Sequence, residues 1–201
     1  MGVTMNIILS NISKQYDGLP VLNQVSLEFK EGMTTCLMGP SGVGKTTLLQ
    51  ILMGLVKADS GSLTGLKGKK LSAVFQENRL CESIDAIANI KMVCDKKTSI
   101  QRIRQELNEV GLTDYENKKT LLLSGGMKRR VAIVRAVLAD SEVIFMDEPF
   151  KGLDEKLKEQ VIQYVKRKTA GKTLIVVTHN KDEIKALSAE LIVLKKDTEK
   201  F

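Results

Sequence analysis

The octapeptide GPSGVGKT, Gly39 to Thr46, carries the G-x-x-x-x-G-K-[ST] spacing. It follows the strand-like run MTTCLM and opens a run whose apolar residues recur at helical spacing, the strand–loop–helix context that gives the pattern its meaning. The loop runs through Gly39, Pro40, Ser41, Gly42, Val43 and Gly44 into Lys45, Thr46 and Thr47, and its main-chain N–H groups can wrap a phosphate. A helix N-terminus there favours negative charge, Lys45 can reach outer phosphates, and the Thr46 hydroxyl can ligate Mg²⁺.

Asp147 and Glu148 close the apolar run VIFM, where carboxylates emerge at the end of a buried strand. Adjacent acids can divide labour. Asp147 would hold Mg²⁺, and Glu148 would orient or deprotonate a water attacking a γ-phosphate. His179 ends LIVVT in the same manner and can donate to that phosphate; a lone histidine is as often structural. Gln76, after LSAVF, either begins a loop or touches Mg²⁺ and the attacking water. Tyr16 is either a partly buried ring or a surface on which a base stacks.

A second anion-binding turn lies at LLLSGGMKRR. Ser124 can cap a helix beginning near Gly126, and its hydroxyl with the free N–H groups of Gly125 and Gly126 makes a phosphate cradle. No lysine or acid stands among Ser124, Gly125 and Gly126 to run phosphoryl chemistry, so the turn reads as half of a site.

The elements that must position these residues follow from periodicity. Short β-like runs at Ile7–Ser13 and Val21–Lys30 come first. A helix carrying Leu48, Ile51, Leu52 and Leu55 follows the first loop, and Gly54 with KADSGS marks its exit into a loop. The strand LSAVFQ ends at Gln76. From Ser83 to about Lys119 the pattern is helical, with Ile100, Ile103, Leu107 and Val110 closed by Gly111, which predicts a helical lobe over about 83–121. Beyond Ser124 comes a helix to Leu138, the strand VIFMDEP, a helix with Leu157, Val161, Tyr164 and Val165, and the strand TLIVVTH. Alternating strands and helices predict a parallel sheet with crossovers.

Composition narrows the classes. At 201 residues and 43% hydrophobic content the chain suits one domain. Its apolar stretches fall far short of the roughly 18–20 residues of a spanning helix. The start, MGVTMNIILS, lacks a charged n-region and an adequate apolar h-region and reads as mature sequence, so the cytoplasm is the expected location. Cys36, Cys81 and Cys94 lack metal or disulfide spacing, and His179 is the one histidine. The 31 basic against 24 acidic residues give +7, compatible with nucleic acid, an anionic membrane surface or polyphosphate, and charge alone does not choose. The charged end, from Lys195 to Phe201, reads as a frayed tail.

Taken in order from Tyr16 to about Leu194, these residues resemble the nucleotide-binding subunits of ATP-binding-cassette (ABC) transporters. GPSGVGKTT resembles the Walker A loop, Gln76 the Q-loop, LSGGM the signature, VIFMDEP Walker B, GLD the D-loop and His179 the switch histidine. The resemblance implies an α/β fold of the P-loop NTPase, ABC type: a mixed sheet core, an N-terminal antiparallel β portion and a helical lobe, all within one domain over residues 1–201. It implies ATP and Mg²⁺ held by two copies head to tail, each ATP between the Walker A loop of one and the signature of the other. Every chain must then carry both halves, as this one does. It further implies transmembrane permease partners contacted by the helical lobe, a solute-binding protein acting with them, and a place on the inner face of the membrane. The expected function is an ATP-hydrolysing subunit driving import of a small solute.

Met127, where many relatives have Gln, resembles the nitrate, sulfonate and taurine importer branch, which PFKGLD fits loosely. Asn180 stands where Asp is common. The chain stops soon after LIVLKK, so no C-terminal regulatory domain is expected. The rival reading is a soluble ABC-type clamp or scaffold in nucleic-acid repair, translation or iron–sulfur assembly. Against it stand the single cassette, the lack of coiled-coil arms and the absence of aromatics interleaved with basic runs, so nucleic acid is not an expected partner.

Overall fold

A computed structural model describes residues 5–195. Strands β1 (Ile7–Tyr16) and β2 (Leu19–Phe29) form an antiparallel hairpin. The next two strands in the chain are β3 (Thr34–Met38), which leads into the first loop, and β4 (Ser60–Thr64), which completes a three-stranded sheet of order β2-β1-β4. Strands β5 (Leu71–Val74), β6 (Val143–Asp147), β7 (Thr173–Val177) and β8 (Glu190–Val193) join β3 in a second sheet of order β5-β6-β7-β3-β8, parallel at every pairing. The expected mixture of strand directions is thus divided between two sheets.

The pleat of the parallel sheet separates two cores. Leu37, Val143, Phe145, Ile175 and Val177 face the antiparallel sheet and helix α1 (Lys45–Leu52). Cys36, Val74, Ile144, Met146, Leu174 and Val176 face the other way, onto the helices. These are α2 (Ala86–Lys91), α3 (Ile100–Glu109), α4 (Gly125–Leu138), α5 (Glu155–Lys168) and α6 (Lys181–Leu187). Both faces of β6 and β7 are covered, which is why VIFMD and TLIVV are continuous apolar runs, not alternating ones. Burial pushes the Cys36 thiol up to about 12, so it behaves as a small core hydrophobe.

Helix starts follow side-chain chemistry. Asp85, Ser99, Ser124, Asp154 and Asn180 each accept a backbone N–H in the first turn of α2, α3, α4, α5 and α6. Asn180, unusual by the resemblance, thus has a local role, and Asp154 of GLD does as well. Because the core strands run parallel, the residues after β3, β5, β6 and β7 all emerge at one edge of the sheet.

Some expectations need correction. KADSGS is not wholly a loop, because Ser60 opens β4. Helix α1 ends at Leu52, and Leu55 lies beyond it, 55% exposed. Ile100 starts α3 but is exposed, while Ile103, Leu107 and Val110 are buried. Strand β5 stops at Val74, so Gln76 stands in the following loop. The start of β8 and its place beside β3 were not foreseen. The charged tail from residue 196 lies outside the described residues.

Candidate functional site

The loop Gly39–Gly44 is shaped by close approach. A Cβ on Gly39 would stand 2.5 Å from the Leu194 carbonyl oxygen. Gly44 has φ +96°, and a Cβ there would stand 2.6 Å from Leu22 Cδ2 and 2.8 Å from the Val21 carbonyl. A side chain at Gly44 therefore fails on conformation and on space. Behind the loop, Lys45 is buried and its Nζ donates to the carbonyls of Gly39 and Pro40, each at 2.8 Å. Burial lowers the Lys45 pKa, while Glu148 and Asp147 oppose that shift. The ammonium thus rests on its own loop with two carboxylates in its field.

Thr46 Oγ1 donates to Asp147 Oδ2 at 2.9 Å, joining the start of α1 to the end of β6. Asp147 is 6% exposed; burial raises its pKa, with the Thr46 hydrogen bond acting against that and Glu148 reinforcing it. A hydroxyl and a carboxylate at this distance can share one hard cation, with phosphate oxygens and waters filling the other positions. That suits Mg²⁺, which seldom relies on an all-protein cage. Among the described residues no group of three or more His, Cys, Asp or Glu forms such a cage.

Glu148 adopts φ +46°, left-handed for a residue with a side chain, and its N–H donates to the Val177 carbonyl at 2.9 Å. Its Oε1 lies 3.1 Å from His179 Nε2, and its Oε2 accepts from Lys151 Nζ at 2.8 Å. The Lys151 hydrogen bond is the main reason the Glu148 carboxyl is held below the usual carboxylate range. Beneath His179, buried Thr178 donates to the buried Glu183 carboxylate, whose pKa burial raises.

Gln76 is exposed and shares with Thr46 and Asp147 a cavity of about 160 Å³, also lined by Phe75, Arg79 and Met53. Thus Lys45, Thr46, Asp147, Glu148, His179 and Gln76 gather at the strand ends. Ser124, Gly125 and Gly126 do not line that cavity. Ser124 Oγ accepts from Met127 N at 3.3 Å and starts α4, one residue earlier than expected. A Cβ on Gly125 would meet nothing, and one on Gly126 would make ordinary contacts with Leu153 and Gly152, at 3.5 and 3.6 Å. Tyr16, 42% exposed at the end of β1, has Lys14 Nζ 5.4 Å from its ring centroid.

Sequence reasoning did not single out Lys151, Glu183 or Arg129, all of which touch this machinery or its supports. The Lys151 spacing, three residues after Glu148 across the Pro149–Phe150 turn, is a usable signal. Arg129 was visible only as one of a run of bases; its contacts lie 53 and 54 residues away.

A family model described as "ABC transporter" matches residues 22–151. The spermidine/putrescine import ATP-binding protein PotA of Mycoplasma capricolum is 35% identical over 206 aligned residues, covering 94% of this chain and 59% of that protein. PotA of Spiroplasma citri is 37% identical, with 92% and 58% covered. The chain thus spans less than two thirds of the length of these curated relatives. Among solved structures, the dimeric bacterial ABC transporter cassette MJ0796 superposes with a TM-score of 0.84 at 31% identity, covering 94% of each chain. A dimeric post-hydrolysis state of that cassette, bound to ADP and Pi, gives 0.83 at 29% identity, with 96% and 97% covered. Both share the two-sheet α/β fold with its helices.

Proposed function

This chain belongs to the ABC transporter family as an ATP-binding domain, and from that premise we propose that it hydrolyses ATP to energise a separate membrane permease importing a small solute. The observation that carries the reading is the 2.9 Å contact of Thr46 with Asp147, which joins the phosphate loop to the acidic strand end beside Glu148. Lys45 and the loop amides hold the phosphates, and Thr46, Asp147 and Gln76 hold Mg²⁺. When bound, Mg²⁺ supplies charge neutralisation at the β/γ-phosphates. Glu148 is the base for the attacking water, and His179 fixes Glu148 and donates to the γ-phosphate. Lys151 must leave Glu148 Oε2 before that oxygen can take a proton. Tyr16 provides a stacking face for the base.

Two copies pair head to tail, with Ser124, Gly125 and Gly126 closing the partner's site. The unforced glycines support this: nothing in the chain's own packing requires Gly125 to lack a side chain, yet glycine is a poorer helix former than alanine. Such bareness suits a phosphate arriving from outside the chain. The helical lobe over about 83–121 contacts the permease, and a solute-binding protein delivers the solute. A separate permease supplies the passage and holds this subunit on the inner face; no helix among the described residues is long and apolar enough to cross a membrane.

The relatives' names favour import over a soluble clamp or scaffold. They name spermidine and putrescine and do not single out the nitrate, sulfonate and taurine branch that Met127 resembles, which supports a small solute as cargo. The test is Glu148→Gln, which keeps shape and hydrogen bonding but loses basicity. ATP hydrolysis should fall at least about 100-fold while ATP still binds. Wild-type turnover in this variant would contradict the assignment.

A further inference from the structure

Backbone carbonyls in the loop after β5 have lost the sheet as a partner and must find donors elsewhere. They find them on α4. Arg129, 8% exposed, donates from Nη1 to the Phe75 carbonyl and from Nη2 to the Gln76 carbonyl. Arg135 donates from Nη1 to the Arg79 carbonyl at 2.8 Å and from Nη2 to the Asn78 carbonyl at 3.2 Å. The loop also folds back on itself: Arg79 takes φ +46° and its guanidinium lies 3.8 Å from the Phe75 ring centroid. Among the described residues neither Arg129 nor Arg135 lies within ion-pair distance of a carboxylate, and both forks are spent on main-chain oxygens. A planar guanidinium holds two carbonyls through parallel donors in a fixed fork, whereas an ammonium that reaches two carbonyls, as Lys45 does, imposes no such plane.

A buried cation is costly even with Asp147 and Glu148 in its field, and here it holds a loop in which Gln76 is exposed. The same helix begins at Ser124 and the signature glycines. We propose that Arg129, supported by Arg135, is a positioning residue: it fixes the main chain at Phe75 and Gln76 and thereby ties the placement of the Gln76 side chain to the signature helix. A shift of α4 caused by a phosphate at Ser124 then moves Gln76 in the same chain. This inference rests on the role given to Gln76 under the proposed function, and deepens it.

The test is Arg129→Gln, of similar length but without the fork, made in the wild-type chain and in a Gln76→Ala chain, with nucleotide affinity and amide hydrogen exchange measured beside turnover. Amides of the 75–80 segment should exchange at least about tenfold faster in Arg129→Gln while the amides of β6 and β7 keep their rates. Turnover should fall at least about tenfold, with fluorescent ATP affinity within about twofold of wild type, and Arg129→Lys should not restore it. In the Gln76→Ala chain the same substitution should change turnover less than about twofold, because the residue being positioned is gone. Equal losses in both backgrounds, or unchanged exchange, would overturn the positioning claim while leaving Gln76 its role. If Gln76→Ala alone turned over at the wild-type rate, the role of Gln76 would fail and this claim with it. Should Arg129→Gln not fold, Arg135→Lys, which keeps the charge and loses the fork, serves the same comparison.

Discussion

Two helix N-termini of this chain look alike in sequence, and the structure separates them. At the start of α1 the glycines are demanded by the chain itself: Gly44 is left-handed and wedged against Val21 and Leu22, and Gly39 abuts Leu194. At the start of α4 the glycines are not demanded, since a Cβ at Gly125 meets open space. The first loop also has a lysine and lies within reach of carboxylates; the second has only Ser124 and free amides. One glycine set is needed to build the fold and the phosphate loop together. The other is spared side chains for something the chain does not contain.

The largest effect that separates the two should come from charge. Lys45→Ala removes the loop's mobile cation from the outer phosphates and should abolish tight ATP binding. Ser124→Ala should leave ATP affinity of the unpaired chain within about twofold, because its hydroxyl serves the other half-site. Fluorescent-nucleotide titration of both variants checks this. Equal losses would place the two turns in one site and break the comparison.

Stability offers a second separation. Gly44→Ala puts a side chain into a left-handed, crowded position and should destabilise the fold by more than about 2 kcal/mol. Gly125→Ala should be neutral or stabilising by up to about 1 kcal/mol, since alanine is the better helix former. Denaturant titrations give both values. Gly125→Ala should nonetheless lower hydrolysis, so a destabilised Gly125→Ala would show that this glycine serves the fold after all.

The parts legible in sequence were those in which one residue type meets one local demand. Strand ends carrying Asp147, Glu148 and His179 could be read because buried parallel strands are continuously apolar until they emerge. The α4 start could be read because Ser124 caps it. Strand β4 could not: SGSLT is small and polar, and its Gly61 is there because the backbone of β1 approaches within 2.5 Å of where a Cβ would stand, at the irregularity around Asn11. Leu55 continued the helical period, but Gly54, with φ +70°, had already turned the chain out of α1. The grip of Arg129 on Phe75 and Gln76 has no local signature at all, because it depends on how α4 crosses the end of β5.

The smallest effect concerns protons. Burial raises the Asp147 pKa above the ordinary carboxylate value, so the folded chain holds this proton more firmly than the unfolded chain. As pH rises from the unfolded value through the raised folded value, the unfolded state releases its proton first and stability falls. Asp147→Asn removes that dependence. Urea midpoints measured from about pH 4 to about pH 7 should decline less, or rise more, in the variant than in wild type. The opposite difference would mean that Asp147 gains more from Thr46 and Lys45 than it loses to burial.

The most direct test of the claim that the α4 turn completes a partner's site is rescue by mixing. Lys45→Ala spoils the phosphate loop and keeps the signature; Gly125→Asp keeps the loop and sets a carboxylate where a phosphate must approach, at a helix start where aspartate is itself tolerated. Each variant alone has only damaged composite sites. A mixed dimer has one site with both lesions and one intact site, so mixing differently tagged chains should restore ATPase activity that neither shows alone. If mixed dimers are recovered from both tags, both variants are folded, and photocrosslinks from position 124 reach ATP only within the same chain, the turn does not act on a partner and the account is contradicted.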